Sequence, residues 1–186
     1  MRLNFSKMHG LGNDFVMVDG ISQSTPLTPA LIARIGDRRR GVGFDQLLQA
    51  VPADDCESGI GVRIFNTDGS EAEHCGNGMR CFARFLSDRS LLNQTEPFNV
   101  TTSAGPVSLE LLEDTLVKIG MGVPTFAPDE IPLTAASQAE SYVLQVGDES
   151  VELGAAAIGN PHGVLDVADV ESAPVERLRA AVQASG

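Results

Sequence analysis

Lysine occurs only twice in these 186 residues, at Lys7 and Lys118, so a lysine-dependent cofactor chemistry has few places to sit. Positive charge as a whole is scarce: 13 Lys and Arg face 25 Asp and Glu, for a formal net charge of -12. The sequence pI is about 4.5. Nucleic acid and anionic membrane both reward clustered positive charge, so neither is expected as a partner. The one basic run, Arg38-Arg39-Arg40, reads as a solvated helix end. No apolar run approaches the ~20 residues that a membrane span needs. The opening M-R-L-N-F-S-K-M-H-G has no apolar h-region, so no signal peptide is expected and a cytoplasmic location follows. Cysteine is sparse too. Three residues, Cys56, Cys75 and Cys81, form no CxxC pair and read as reduced thiols rather than a disulfide framework.

What is present is ordinary for a globular chain: 42% hydrophobic and 20% charged residues, with mean hydropathy near zero. Folding should bury roughly 70% of the unfolded surface. Short β-branched runs end in turn chemistry. F15-V-M-V-D19 runs into Asp19-Gly20, and V62-R-I-F-N66 runs into T-D-G-S. S108–L112 and L116–I119 flank E-D-T as a hairpin, and S141–V146 and S150–L153 flank Gly147-Asp148 as another. Three helices are marked. Thr28 caps the first, with Pro29 at its first position, a stripe of Leu31, Ile32 and Ile35, and Gly41 as its stop. The second runs from about Asn77 to Leu86, with Met79, Phe82, Ala83 and Leu86 inward and Arg80 and Arg84 outward. The third follows Ser172 and carries Val175, Leu178 and Val182. The pattern is α+β with mixed or antiparallel strands. The stretch G-M-G-V-P-T-F-A-P-D-E-I-P, rich in proline and glycine, predicts a domain boundary that separates 1–120 from 121–186.

The chemistry concentrates at E-H-C-G-N-G-M-R-C, residues 73 to 81. With a helix starting at Gly76 or Asn77, the Cys75 sulfur lies at its N-terminal end, where free N–H groups and the dipole favour a thiolate. The Gly76 and Asn77 amides could accept an anionic group such as a carboxylate. The plain alternative is a small buried hydrophobe at a helix start. Cys81 reads as core and Cys56 as an incidental loop residue. His74 is adjacent to Cys75 and points away from it, which leaves His9 and His162 as possible partners of a thiol. Metal-ligand spacing is absent around His74, Cys75 and Cys81. H-G-L-G-N-D at 9–14, G-V-G-F-D-Q at 41–46 and G-N-P-H at 159–162 either bring amides to a pocket mouth or are simple turns. None of them completes GxGxxG.

Taken together, K-M-H-G-L-G-N-D-F (7–15), G-V-G-F-D-Q-L (41–47), R-I-F-N-T-D-G-S-E-A-E (63–73), C-G-N-G-M-R-C (75–81) and G-N-P-H (159–162) resemble the diaminopimelate epimerase family, in the family's order and across essentially the whole chain. The resemblance implies a cofactor-independent isomerase that interconverts LL- and meso-diaminopimelate in lysine and peptidoglycan-precursor biosynthesis. It implies two similar domains with strands wrapped around a central helix, the site between them, and a homodimer in full-length relatives. Two cysteines, one per domain, would work on opposite faces of the substrate α-carbon, and Cys75 matches one of them. Asn13, Gln46, Asn66, Gly76, Asn77 and Asn160 match substrate contacts. His162 matches a site residue that assists catalytic geometry.

No cysteine follows Cys81. The resemblance therefore implies one complete N-terminal domain carrying Cys75 (1–120), the incomplete start of a second (121–186), and only one of the two thiols. A catalytically silent remnant that binds ligand or a partner chain is the alternative. A thiol hydrolase pairing Cys75 with His162 or His9 is a third reading.

Overall fold

A strand at Asn13–Asp19 (β2) shows how the main sheet acquires two apolar faces. Phe15 and Met17 enter one core, and Val16 and Val18 enter another, as period-two alternation requires. The computed structural model describes residues 2–24, 26–53, 58–92, 96–131, 133–146 and 149–184. The chain divides into two compact units, Met1–Met121 and Gly122–Gly186.

In the first unit β2 is joined by β1 (Ser6–Gly10), β3 (Gln46–Pro52), β4 (Ile60–Asn66), β5 (Glu71–Ala72), β6 (Phe98–Thr102), β7 (Gly105–Leu111) and β8 (Val117–Gly120). The strand order is β1-β2-β3-β4-β6-β7-β8, with β5 beside β4. The β2–β3 and β4–β6 pairs are parallel and the remaining pairs antiparallel. The expected E-D-T hairpin is there, its turn a short 3-10 segment at Glu113–Thr115.

Helix α1 (Pro29–Gly36) starts where Thr28 Oγ1 accepts the Leu31 N–H at 3.2 Å. Ile32 enters the smaller core with Val16, Val18, Phe44, Leu47 and Phe65. Helix α2 (Gly76–Asp88) lies on the opposite face of the sheet. Its Met79, Phe82, Ala83 and Leu86 are fully buried against Phe15, Met17, Leu48, Val100 and Leu109. Arg80 and Arg84 stay exposed, as the helical period predicts.

In the second unit β9 (Tyr142–Val146), β10 (Glu149–Ile158) and β11 (Asn160–Val164) form an antiparallel sheet. Helix α3 (Val175–Ala184) follows. Here Ile131, Tyr142 and Leu153 are buried. The predicted turn at Gly147-Asp148 lies outside the described residues, while the strands around it pair as expected.

Three readings are corrected. Arg38-Arg39-Arg40 is not a helix end, because α1 stops at Gly36. Gly41 does not stop the helix but carries the chain back across it. The N–H groups of Val42 and Gly43 both reach the Ile35 carbonyl, and Asp37 Oδ1 accepts from Arg39 and Arg40. Strands β1 and β3 are additions to the expected elements, β1 running into the glycine turn at Gly10 to Gly12 and β3 following the glycine motif at 41–46. Leu11 and Gly12 join β1 to β2 with φ of 55° and 88°, a two-residue turn of the kind that hairpins favour.

Two outcomes follow for stability. Phe82→Ala should cost about 3–5 kcal/mol in denaturant unfolding, with no comparable loss at exposed Arg84. Leu11 is 92% exposed and left-handed, so Leu11→Asn should raise the unfolding midpoint, with a gain of about 1 kcal/mol in unfolding free energy. An unchanged or lower midpoint would show that this backbone carries no strain.

Candidate active site

Four strand ends make one rim of the sheet. Gly10 pairs with Asn13, and Gln46 pairs with Asn66 while standing beside Phe15. On their strands these residues are two positions from Met8, Phe15, Leu48 and Ile64, which belong to or pack against the core that α2 covers. Alternation therefore puts Asn13, Gln46 and Asn66 on the α2 face, where the helix begins. A Cβ built on Gly10 would stand 3.6 Å from both the Asn77 carbonyl oxygen and Cys81 Sγ, so the first turn of α2 lies against the rim.

Cys75 is the residue that opens α2. Its backbone is extended (φ −156°) and its sulfur accepts the Gly78 N–H at 3.2 Å. A Cβ at Gly78 would approach the sulfur to 3.0 Å and both Leu48 methyls to 3.2 Å, so glycine is what lets thiol, helix and strand meet. Cys75 is half-buried and flanked by core residues. Burial pushes its pKa up, the Gly78 N–H opposes that, the Asp45 carboxylate raises it further, and the Asn77 N–H pulls it down. The net direction is upward. The helix start alone predicted a lowered pKa, and desolvation together with Asp45 overturns it. Cys75 is thus a protonated thiol at neutral pH. Cys81, 6% exposed, is core as expected, and Cys56 lies outside the described residues.

Around the rim runs a network that sequence reasoning missed. Asp14 takes Arg38 in a fork, at 2.6 and 3.0 Å, and Lys7 at 2.6 Å. Those cations hold its carboxyl well below the usual range. Arg38 also donates to Asp45 Oδ1 at 2.8 Å, and Lys7 donates to the Gly43 carbonyl. Gly43 has φ 71° and Arg38 packs over it, with Cγ 2.8 Å from a built Cβ. Asp45 in turn accepts from Asn13 Nδ2 at 2.6 Å and from the Asp14 N–H at 3.0 Å. Gln46 Nε2 donates to Asn66 Oδ1 at 3.2 Å. The signal in the sequence was Asp45 beside Gln46 within G-V-G-F-D-Q; nothing in the Arg38-Arg39-Arg40 run marked its first member as the clamp.

The structure thus brings Asn13, Gln46, Asn66, Cys75, Gly76 and Asn77 together in the first unit. Asn160 and His162 belong to the second, on β11, opposite Ile158 and Ala156 across a turn at Gly159, and both are exposed. In the G-N-P-H motif Gly159 thus makes a turn, as expected, and Asn160 to His162 run on as a strand. Among the described residues no group of three or more His, Cys, Asp or Glu is placed to hold a metal ion, and no helix is long and apolar enough to cross a membrane.

This curled mixed sheet around one helix is a fold shared with solved structures of other proteins, a racemase and an epimerase among them. A probable proline racemase from Agrobacterium radiobacter K84 matches 96% of this chain and 53% of its own, with TM-score 0.65 at 15% identity. A hydroxyproline epimerase from Agrobacterium vitis matches 94% of this chain and 52% of its own, with TM-score 0.60 at 16% identity. Within that fold class the sequence is more specific. The family model described as diaminopimelate epimerase matches residues 5–127. A diaminopimelate epimerase of Chromobacterium violaceum is 45% identical over 183 residues, which is 98% of this chain and 66% of that protein. The chain belongs to the diaminopimelate epimerase family.

The raised thiol has a direct test. Alkylation of Cys75 by iodoacetamide, mapped by peptide mass, should rise with pH through a midpoint above that of an ordinary thiol. Asp45→Asn removes a negative charge that disfavours the thiolate, so it should move that midpoint down. A midpoint in or below the ordinary range for the starting protein would contradict the dominance of burial and Asp45 over the helix amides.

Proposed function

We propose that this chain carries one of the two thiols of an isomerase that interconverts LL- and meso-diaminopimelate without a cofactor. The observation that carries the reading is Cys75 itself: a half-buried thiol at the N-terminal start of α2 and beside a rim of amide side chains. In the LL-to-meso direction a thiolate on the opposite face removes the α-proton, breaking C–H and forming S–H. Cys75 then gives its proton to the carbanion, forming C–H and leaving a thiolate. Two opposed groups suit inversion, because a single base tends to return the proton to the face it came from. The N–H groups of Gly76 and Asn77 receive the carboxylate next to the reacting carbon, where charge builds as the proton leaves.

Asn13, Gln46 and Asn66 are assigned as substrate contacts. By their place in the family's motif, Asn160 is assigned as a further contact and His162 as a residue assisting catalytic geometry. The unit 1–121 is read as the epimerase domain that carries Cys75, and the unit that follows as the start of its counterpart. No cysteine follows Cys81, so the opposing thiol is not among the later residues of this sequence. A small biosynthetic metabolite as substrate supports a cytoplasmic location.

The test is to incubate the protein with meso-diaminopimelate in deuterated water and follow the D-centre α-proton by NMR, with Cys75→Ala alongside, since in the reverse direction it is Cys75 that removes this proton. Exchange that depends on Cys75 is the expected result, and LL product in addition would mean that a second proton carrier is present. A folded sample with no exchange would reject the proposal for this chain and leave a ligand-binding remnant.

A further inference from the structure

Which pole of an amide faces a ligand depends on what holds the other pole. Aspartate at neutral pH only accepts hydrogen bonds, and arginine only donates. Asn13 Nδ2 is held by Asp45 Oδ2 at 2.6 Å, so Asn13 Oδ1 is left over. A second chain of bonds ends on Asp68. Ser70 Oγ donates to Asp68 Oδ1 at 2.6 Å, Asn66 Nδ2 donates to Ser70 Oγ at 3.1 Å, and Gln46 Nε2 donates to Asn66 Oδ1 at 3.2 Å. The acceptor at the end fixes every step back, and Gln46 Oε1 is left over. Asn77 is set the opposite way: Arg80 donates to its Oδ1 at 2.6 Å, which leaves Nδ2. Among the described residues no buried side-chain N or O atom lacks a partner, so all three leftover atoms reach solvent.

We infer that Asp45, the Ser70–Asp68 pair and Arg80 are positioning residues that set the polarity of the site. Two carbonyl oxygens are thereby offered to a substrate ammonium, and the start of α2 offers N–H donors to its carboxylate. The inference rests on the reading of the site as an amino-acid epimerase site, and it gives that site a direction. A zwitterion fits in one sense only, and a dicarboxylic acid without ammonium groups finds acceptors where it needs donors. Asp45 cannot swing to release Asn13, because Arg38 and the Asp14 N–H hold it as well.

Two readouts test this. Without any ligand, one Asn13 side-chain amide proton should be protected from solvent exchange in ¹⁵N NMR, and Asp45→Ala, which leaves no acceptor, should remove that protection. An Asn13 amide that exchanges like a free surface amide in the starting protein overturns the anchor. With ligands, titration should show LL-diaminopimelate binding at least about tenfold tighter than pimelate, the same seven-carbon diacid without amino groups. Asp45→Asn should narrow that ratio. The double exchange Asn13→Asp with Asp45→Asn, in which donor and acceptor change places, should restore it. Ser70→Ala should narrow it through Gln46 without disturbing the Asn13 proton. A ratio lost in Asp45→Asn and not regained in the double exchange would reduce Asp45 to a structural role and overturn the inference. A folded protein with the protected Asn13 proton that binds neither compound would reject the diaminopimelate reading while supporting the anchor.

Discussion

Helix α2 sits in one rotational register because Met79, Phe82, Ala83 and Leu86 are fully buried in the core against one face of the sheet. A slip of one residue would turn the helix by about 100° and carry Arg80 or Arg84 toward that core, at the expense of buried aromatic surface. The position of the first turn is therefore dictated by packing a full turn or more away. Cys75 inherits its place from that register, as do the amides of Gly76 and Asn77 and the close contact of Gly78 with Leu48. Core hydrophobicity and site geometry are a single constraint in this unit. The three rim amides complete it, because alternation along β2, β3 and β4 sends their neighbours into the same core.

Around this apolar fixture, formal charges do what packing cannot. Packing places an amide but is nearly indifferent to which of its poles lies where, since oxygen and nitrogen have similar volumes. Carboxylates and guanidinium groups break the tie. Asp45 does so for Asn13, and the same charge raises the pKa of Cys75. One side chain thereby couples the orientation of the Asn13 amide to the protonation of the thiol. Arg38 and Lys7 keep the adjoining Asp14 ionised, which leaves Arg38 bridging two carboxylates across a returning loop.

Much of this was legible in the sequence where local rules dominate. Thr28-Pro29 opened one helix, Met79 to Leu86 traced the buried face of another, and the glycine-framed motifs marked the residues that meet at the rim. What could not be read was long-range. β3 was hidden because Gln46 to Pro52 is buried on both faces and shows no clean alternation, and because its parallel partner lies across the whole α1 connection. The Arg38-Arg39-Arg40 run looks like a solvated helix end, since nothing local announces that Asp14 will arrive beside its first member. The thiol misleads for a similar reason. A helix start is visible in sequence, whereas the burial of Cys75 and the nearness of Asp45 exist only after folding.

The sandwiching of α2 also has a history in time. It rests on β1, β2 and β3, which precede it, and on β7 and β8, which follow. A chain emerging from a ribosome displays the apolar stripe of this helix before the last two of those strands exist. For that interval the helix lies in a half-built cradle, with phenylalanines turned toward solvent and neighbouring polypeptides. Soluble yield would then be governed by how quickly the segment from Gly105 to Gly120 is made and closes over the helix, rather than by the stability of the finished unit.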